Sequence, residues 1–502
     1  MPANSILYPS NYKVKTFYIF SAILAMVIGL AVVKEIYLIA LIPFIILGAV
    51  LILKDYSILY FGFWILLPFS IEFSIGSFGT DLPTEPIMLV LTFIGIMIFF
   101  LRLKSISFKY LYHPISLFLI LHLFWLFFTS LFSQSATVSF KFFLAKLWYV
   151  IPFFFLTFHF IKGHLEIEKI AKLLTIFLGI AVTIVLTRHA IDGFTFKGSH
   201  DVVRPIFRNH VNYSAILVVV LPFIWALYKN TKSGIRKKLL VLAIGLFVVG
   251  TYFSYTRAAQ LSLVISVGAY FIFKFKLGKI AVTGSLIAAI LGMGYLATNN
   301  KYLDFAPNFE KTIAHTKFDN LIEATYKMED ISTMERVYRW VAARQMFEDR
   351  PLLGFGPGSF YFHYKKYVLR SFETYVSDNP EKSGIHNYYL MTLIEQGIIG
   401  FLIFIGLIIS IILYGERVYH SLRDERDKNY IMACTISTVV ICALLIINDL
   451  IEVDKIGPFF FLNASLIVFF DLKSRGGKVH KGLHGDKGRN HGDSQRGRLK
   501  SI

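Results

Sequence analysis

A chain of 502 residues that is 56% hydrophobic and 16% aromatic cannot hide its apolar surface in one soluble core. Its mean hydropathy of +0.61 and its repeated apolar runs exclude an ordinary water-soluble enzyme. In a soluble protein the net charge of +19 would suggest nucleic acid. Here the basic residues fall in short loops and at the C-terminus, where membrane topology accounts for them and no nucleic-acid partner is expected.

Apolar runs able to cross about 30 Å of hydrocarbon recur at about 17–33, 36–53, 57–70, 86–101, 114–132, 147–161, 170–187, 212–228, 239–255, 258–276, 280–297, 388–412, 430–449 and 456–471. Helices satisfy their own backbone hydrogen bonds in lipid. The expected fold is therefore all-α, a polytopic transmembrane helix bundle of about 12–14 spans, the third and sixth being the shortest. Only Cys434 and Cys442 occur, both inside one apolar run, and they read as packing residues. The first apolar run has no small-residue cleavage site after it and reads as a retained anchor.

Loop charge orients the stack. Segment 229–238 carries Lys229, Lys232, Arg236, Lys237 and Lys238 with no acid. Three further basic loops carry Arg102, Lys104 and Lys109; Lys274, Lys276 and Lys279; and Arg417, Arg423, Arg426 and Lys428. With fourteen spans all four share a side with Lys13, Lys15 and the C-terminal tail. The positive-inside rule makes that side, and both termini, cytoplasmic. The tail, 473–502, has nine Lys and Arg against Asp486 and Asp493, with seven glycines, and reads as a disordered basic cytoplasmic extension. The expected division is 1–297 for the N-terminal part of the bundle, 298–387 for a long outer loop, 388–472 for the C-terminal helices, then the tail.

The outer loops are about 71–85, 188–211 and 298–387. In the long one, twelve cations balance twelve acids. Ser332-Thr333-Met334-Glu335 predicts a capping box, with Ser332 at the N-cap and Glu335 at N3. The helix that follows should stop at Asp349-Arg350-Pro351. Pro351 to Gly358 is too rich in Gly and Pro for a regular element, and the loop closes at Gly384-Ile385-His386-Asn387.

Ionisable residues near hydrocarbon are expensive and need a partner or a wet cavity. Arg257, in a tight turn between two apolar runs, either snorkels to lipid phosphate or faces an anionic ligand group. Arg208 and Asn212, at the entrance of a span, either line a cavity or cap the interface. Arg336 and Arg339, three apart, share a helix face that either pairs with Glu335 or reaches a ligand. His386, at a helix start near arginines, is a candidate general base with an imidazole pKa near its ordinary 6.5. Acids look scarce near the outer surface. There is no HExxH, CxxC, Walker sequence or outer DxD, so no metal and no cofactor are expected, and arginine forks are the expected readers of phosphate.

Taken together, these residues resemble the O-antigen ligase and O-antigen polymerase superfamily. His386-Asn387, nine residues and then Gly397-Ile398-Ile399-Gly400 is similar to the family's His-to-Gly-x-x-Gly pattern. Arg336 to Trp340 resembles its Arg-x-x-x-Trp helix, Pro351 to Gly356 its Pro-Leu-Leu-Gly-Phe-Gly turn, and Thr256-Arg257-Ala258 its mid-chain arginine. The likeness covers about 205–410, and the family's usual twelve spans differ from the fourteen read here. The resemblance implies a metal-independent, inverting glycosyltransferase of O-antigen or other surface polysaccharide biosynthesis, in the bacterial inner membrane. It would move a glycan from an undecaprenyl-diphosphate donor to a hydroxyl of lipid A-core or of a second lipid-linked glycan, on the periplasmic face and among membrane lipids. By the same resemblance Arg257 and Arg336 hold the diphosphate, and His386 takes or positions the hydroxyl proton. Arg208, Asn212 and Arg339 are expected in the same substrate pocket. The readings from other classes are a lipid-linked oligosaccharide flippase or transporter, and a receptor or scaffold without chemistry.

Overall fold

The computed structural model describes residues 55–75, 78–101, 108–298, 331–370 and 384–485. Spans expected at 17–33 and 36–53 lie outside the described residues, as do much of the long loop and the tail beyond 485. The chain divides into two compact units, Met1–Gly62 and Phe63–Ile502. Residues 55–62 of the first hold the start of helix α1 (Ser57–Leu66). The second unit carries everything that follows.

The described residues are dominated by helices, as uninterrupted apolar sequence in lipid requires. In chain order they are α2 (Thr84–Leu101), α3 (Pro114–Leu131), α4 (Ala136–Val150), α5 (His164–Ile191) and α6 (His210–Asn230). Then come α7 (Ile235–Phe253), α8 (Arg257–Lys274), α9 (Gly278–Ala297), α10 (Ile331–Asp349), α11 (Tyr388–Ser421), α12 (Glu425–Leu444) and α13 (Gly457–Gly485). Eight helical segments among them are long and apolar enough to cross a membrane: α2, α3, α4 continued to Phe160, α5, α6, α9, α11 and α12. The protein is an all-α polytopic membrane protein. Helices α7, α8 and α13 occupy three further expected spans.

Four local expectations shift. The sixth span begins at Ala136 rather than 147, because a π-turn over Ile151–Phe155, at Pro152, joins two helical pieces that sequence pattern separates. The outer segment 71–85 contains a hairpin of β1 (Ile71–Ile75) and β2 (Phe78–Leu82), antiparallel in the register Ile71↔Leu82. Helix α10 starts at Ile331, so Ser332 lies within it rather than at its N-cap, and Glu335 pairs with Arg339. The last helix runs on to Gly485, so the first part of the segment read as disordered is helical.

Helices α6 and α12 form the centre. Their apolar windows are 78% and 72% buried, and they pack on each other more extensively than any other pair. At the periphery α2 is 17% buried and α9 not at all, as suits helices whose apolar side chains meet lipid. Contacts at the helix ends fix which termini lie together. The His420 Nε2 of α11 is 2.8 Å from Phe273 O of α8, and Gly278 N donates to Glu416 Oε1 at 2.8 Å. The C-terminal ends of α8 and α11 therefore share one end of the bundle, so their N-termini, which carry Arg257 and His386, share the other. At that second end Tyr388 N donates to Leu445 O at 2.9 Å, and Thr256 Oγ1 donates to His210 O at 3.4 Å.

Candidate active site

Helix α10 is stitched to the segment that opens α11. Arg339 and Glu335 sit one turn apart on α10 with side chains nearly buried, Nη2 lying 3.4 Å from Oε2. The other arm of that guanidinium, Nη1, donates to Gly384 O at 3.0 Å, and Trp340 Nε1 donates to Ile385 O at 3.2 Å. These bonds bring the next residue, His386, against α10. Its backbone is left-handed, with φ 55°, a strained conformation for a residue with a β-carbon. Asn387 then caps α11 by accepting Leu390 N at 3.0 Å. Trp340→Phe, which removes one bond of this clamp, is expected to cost about 1 kcal/mol. The measurement is the thermal unfolding midpoint in detergent.

The convergence has an electrostatic consequence. Burial first, and then Arg336 and Arg339, push the His386 imidazole down to about 3. It is therefore neutral at physiological pH, which corrects the expected ordinary value. Arg336 is half-buried on the same helix.

The connection between α12 and α13 adds acids that sequence reading missed. Asp449 Oδ2 accepts His386 N at 3.3 Å, and a β-carbon on Gly384 would lie 2.7 Å from the same oxygen. Burial raises the Asp449 carboxyl to about 7, with Glu452 adding to the rise and the backbone N–H of His386 and the Arg339 guanidinium opposing it. One turn on, Glu452 pairs with Lys146 of α4 and accepts from Tyr388 OH at 2.6 Å. Lys146 Nζ is also 3.2 Å from Tyr388 OH, and its side chain is only 1% exposed. Further along, Asp454 accepts Thr84 Oγ1 at 2.8 Å, and Lys455 Nζ donates to Ser70 O at 2.8 Å. The end of the bundle that carries His386 is thus rich in carboxylates, contrary to the scarcity expected of the outer surface. Lys146 was findable, because a lysine inside an apolar helix is a functional suspect. The expected span began one residue too late to include it.

The Gly-Pro loop 351–358 has a structural task. Helix α11 breaks at Gly397, with φ 68° and ψ −176°. The loop supplies the hydrogen bonds that the break releases: Phe355 N to Ile394 O at 3.0 Å, Gly356 N to Glu395 O at 2.9 Å, and Ile398 N to Pro351 O at 2.8 Å. The buried Glu395 carboxylate accepts Gly358 N at 2.7 Å and Phe360 N at 3.0 Å. Trp125 Nε1 takes up Gln396 O at 2.9 Å. The spacing from His386 to the two glycines therefore measures the distance from a helix start to a helix break.

The remaining expected residues separate. Arg257 opens α8 at the same end as His386, and α8 packs on α12, whose end leads into Asp449. Arg208 is 66% exposed, with Nε 3.3 Å from Glu72 Oε2, so a hairpin carboxylate engages it rather than the His386 cluster. Asn212 is buried in the first turn of α6, where Asn209 caps its backbone N–H at 2.9 Å. Arg339 reaches the cluster, but its fork is occupied by Glu335 and Gly384. At the opposite end His164, Asp424 and Asp427 present ligand atoms within 4.8 Å of one another. Lys473 already pairs with Asp427 at 3.1 Å, and Asp424 caps α12, so capping and ion pairing account for that grouping.

No curated protein matches the chain. Residues 240–405 match the family model described as O-Antigen ligase. That stretch contains Arg257, Arg336, Trp340, His386 and both halves of the broken-helix joint. The match places an O-antigen ligase domain at residues 240–405 and supports the O-antigen ligase superfamily.

Proposed function

We propose that the protein transfers a glycan from an undecaprenyl-diphosphate carrier to an acceptor hydroxyl, by direct displacement with inversion and without a metal, at the periplasmic face of the inner membrane. The observation that carries this reading is the docking of α10 on the segment before α11, which gathers Arg336, Arg339 and His386. As the glycosidic C–O bond breaks, negative charge grows on the diphosphate. Guanidinium groups fixed beforehand in a poorly hydrated cleft stabilise that charge better than water does. Arg336 is the diphosphate ligand in this scheme, with Arg257 contributing from the start of α8. Arg339 acts through the backbone it holds, as a positioning residue. A neutral His386 can orient the acceptor hydroxyl, which belongs to lipid A-core or to a second lipid-linked glycan. Both termini are cytoplasmic in this orientation. Interrupted helices are a mark of transporters, but the interruption at Gly397 is filled by loop backbone, which favours a fixed scaffold over a moving gate.

The test uses the full chain in proteoliposomes, with an undecaprenyl-diphosphate-linked oligosaccharide and a hydroxyl acceptor. Glycan should pass to the acceptor with inversion, releasing undecaprenyl diphosphate. EDTA should leave the rate within about twofold of the untreated value, because guanidinium rather than metal carries the charge. A rate abolished by EDTA and restored by a divalent ion would refute the metal-free scheme.

A further inference from the structure

His386 is poorly placed to accept a proton. Two guanidinium groups face it from α10, and each opposes a positive charge on the imidazole. The proton of the acceptor hydroxyl needs another destination. Asp449 lies against the same residue from the other side, its Oδ2 held by the His386 backbone N–H at 3.3 Å. Its second oxygen, Oδ1, is buried and has no full hydrogen bond among the described residues, although the backbone N–H of Asn387 lies near enough to favour the carboxylate. A carboxylate oxygen in that condition is costly unless a donor reaches it. A hydroxyl oriented by His386 is such a donor, and Gly384 has no side chain to keep Asp449 from closing on the segment.

We infer that Asp449 is the general base for the transfer, with His386 positioning the hydroxyl from which Asp449 takes the proton; this rests on the glycan-transfer reading above. The acceptor oxygen forms a bond to the anomeric carbon, and the bond from that carbon to the diphosphate oxygen breaks with its electron pair going to the diphosphate. The hydroxyl proton passes to Asp449, which later returns it to water. The groups around Asp449 suit the task. Arg339 on α10 favours the carboxylate, Glu452 opposes it, and Glu395 on α11 and Lys146 behind Glu452 complete the charged surroundings. The result is a carboxyl that titrates at about 7, where a base is most effective.

The test compares wild type with Asp449→Asn and Asp449→Glu in full-length protein, with two readouts. Binding of undecaprenyl diphosphate alone should stay within about twofold in both variants, showing that they fold and keep the donor site. Transfer by Asp449→Asn should fall about 10²-fold or more, in kcat rather than KM. Wild-type kcat should fall as pH drops through 7, because the carboxylate is the active form, whereas the residual rate of Asp449→Asn should be flat there. Asp449→Glu should recover part of the rate together with the pH dependence. Near-normal transfer by Asp449→Asn, or a wild-type rate flat from pH 8 to 5, overturns the assignment of the base while leaving glycan transfer intact. If wild type neither binds undecaprenyl diphosphate nor transfers from it, the underlying reading fails, and the base with it.

Discussion

Arg336→Lys should lower glycan transfer by about 10²-fold or more, and Arg336→Ala by about 10³-fold. Lysine keeps the charge but loses the planar fork that meets two phosphate oxygens at once. Because that charge develops on the leaving diphosphate, the loss should fall mainly on kcat and leave the KM for the acceptor little changed. Arg339→Lys should behave differently. Arg339 holds Gly384 O and Glu335, so its replacement should loosen the His386 segment and lower stability along with rate. Stopped assays on both variants, with initial rates across acceptor concentrations, separate the two roles. An Arg336→Lys enzyme with wild-type kcat would remove this residue from the chemistry.

Gly397→Ala should be the most damaging conservative change for folding. The residue has φ 68°, which a β-carbon disfavours, and that carbon would overlap Leu352 O and crowd Leu353 N. Both atoms belong to the loop backbone that repairs the broken helix, so neither can swing aside as a side chain would. Strain at φ and the overlap each cost about 1–3 kcal/mol. The expected outcome is little folded protein in the membrane, read by fluorescence-detected size-exclusion chromatography after mild detergent extraction. Gly292→Ala, in α9 with nothing within 4 Å of its β-position, is the matched control and should express normally.

Most of the bundle was legible because hydrocarbon permits few alternatives. A long apolar run must be a helix, and the apolar runs in the described region after α1 all lie on helices. The joint at Gly397 was legible only as a motif. Its glycines signalled irregular backbone, but nothing local in residues 351–358 says that they complete a helix forty residues later. In the cluster at the start of α11, Arg336, Arg339 and His386 stood out in sequence because arginines near a histidine on a long loop are chemically conspicuous. Asp449 and Glu452 were overlooked because they sit where one apolar run gives way to the next, the usual position of interfacial residues. Asp449 matters through His386, and Glu452 through Lys146 and Tyr388, all of them far away in sequence. The ion pair of Arg208 was illegible for the converse reason, since its partner Glu72 belongs to a hairpin that apolar patterning does not reveal.

The joint between the 351–358 loop and α11 also sets an order of assembly. Ribosomal synthesis delivers the loop first, yet its docking partners Ile394, Glu395 and Ile398 emerge some forty residues afterwards. Until they do, the loop has no seat, and α11 enters the bilayer with an interrupted hydrogen-bond ladder and an unsheltered carboxylate. Lateral insertion and final seating are therefore separate events, and a chain stalled between them would expose Glu395 to the machinery that recognises polar defects in membranes.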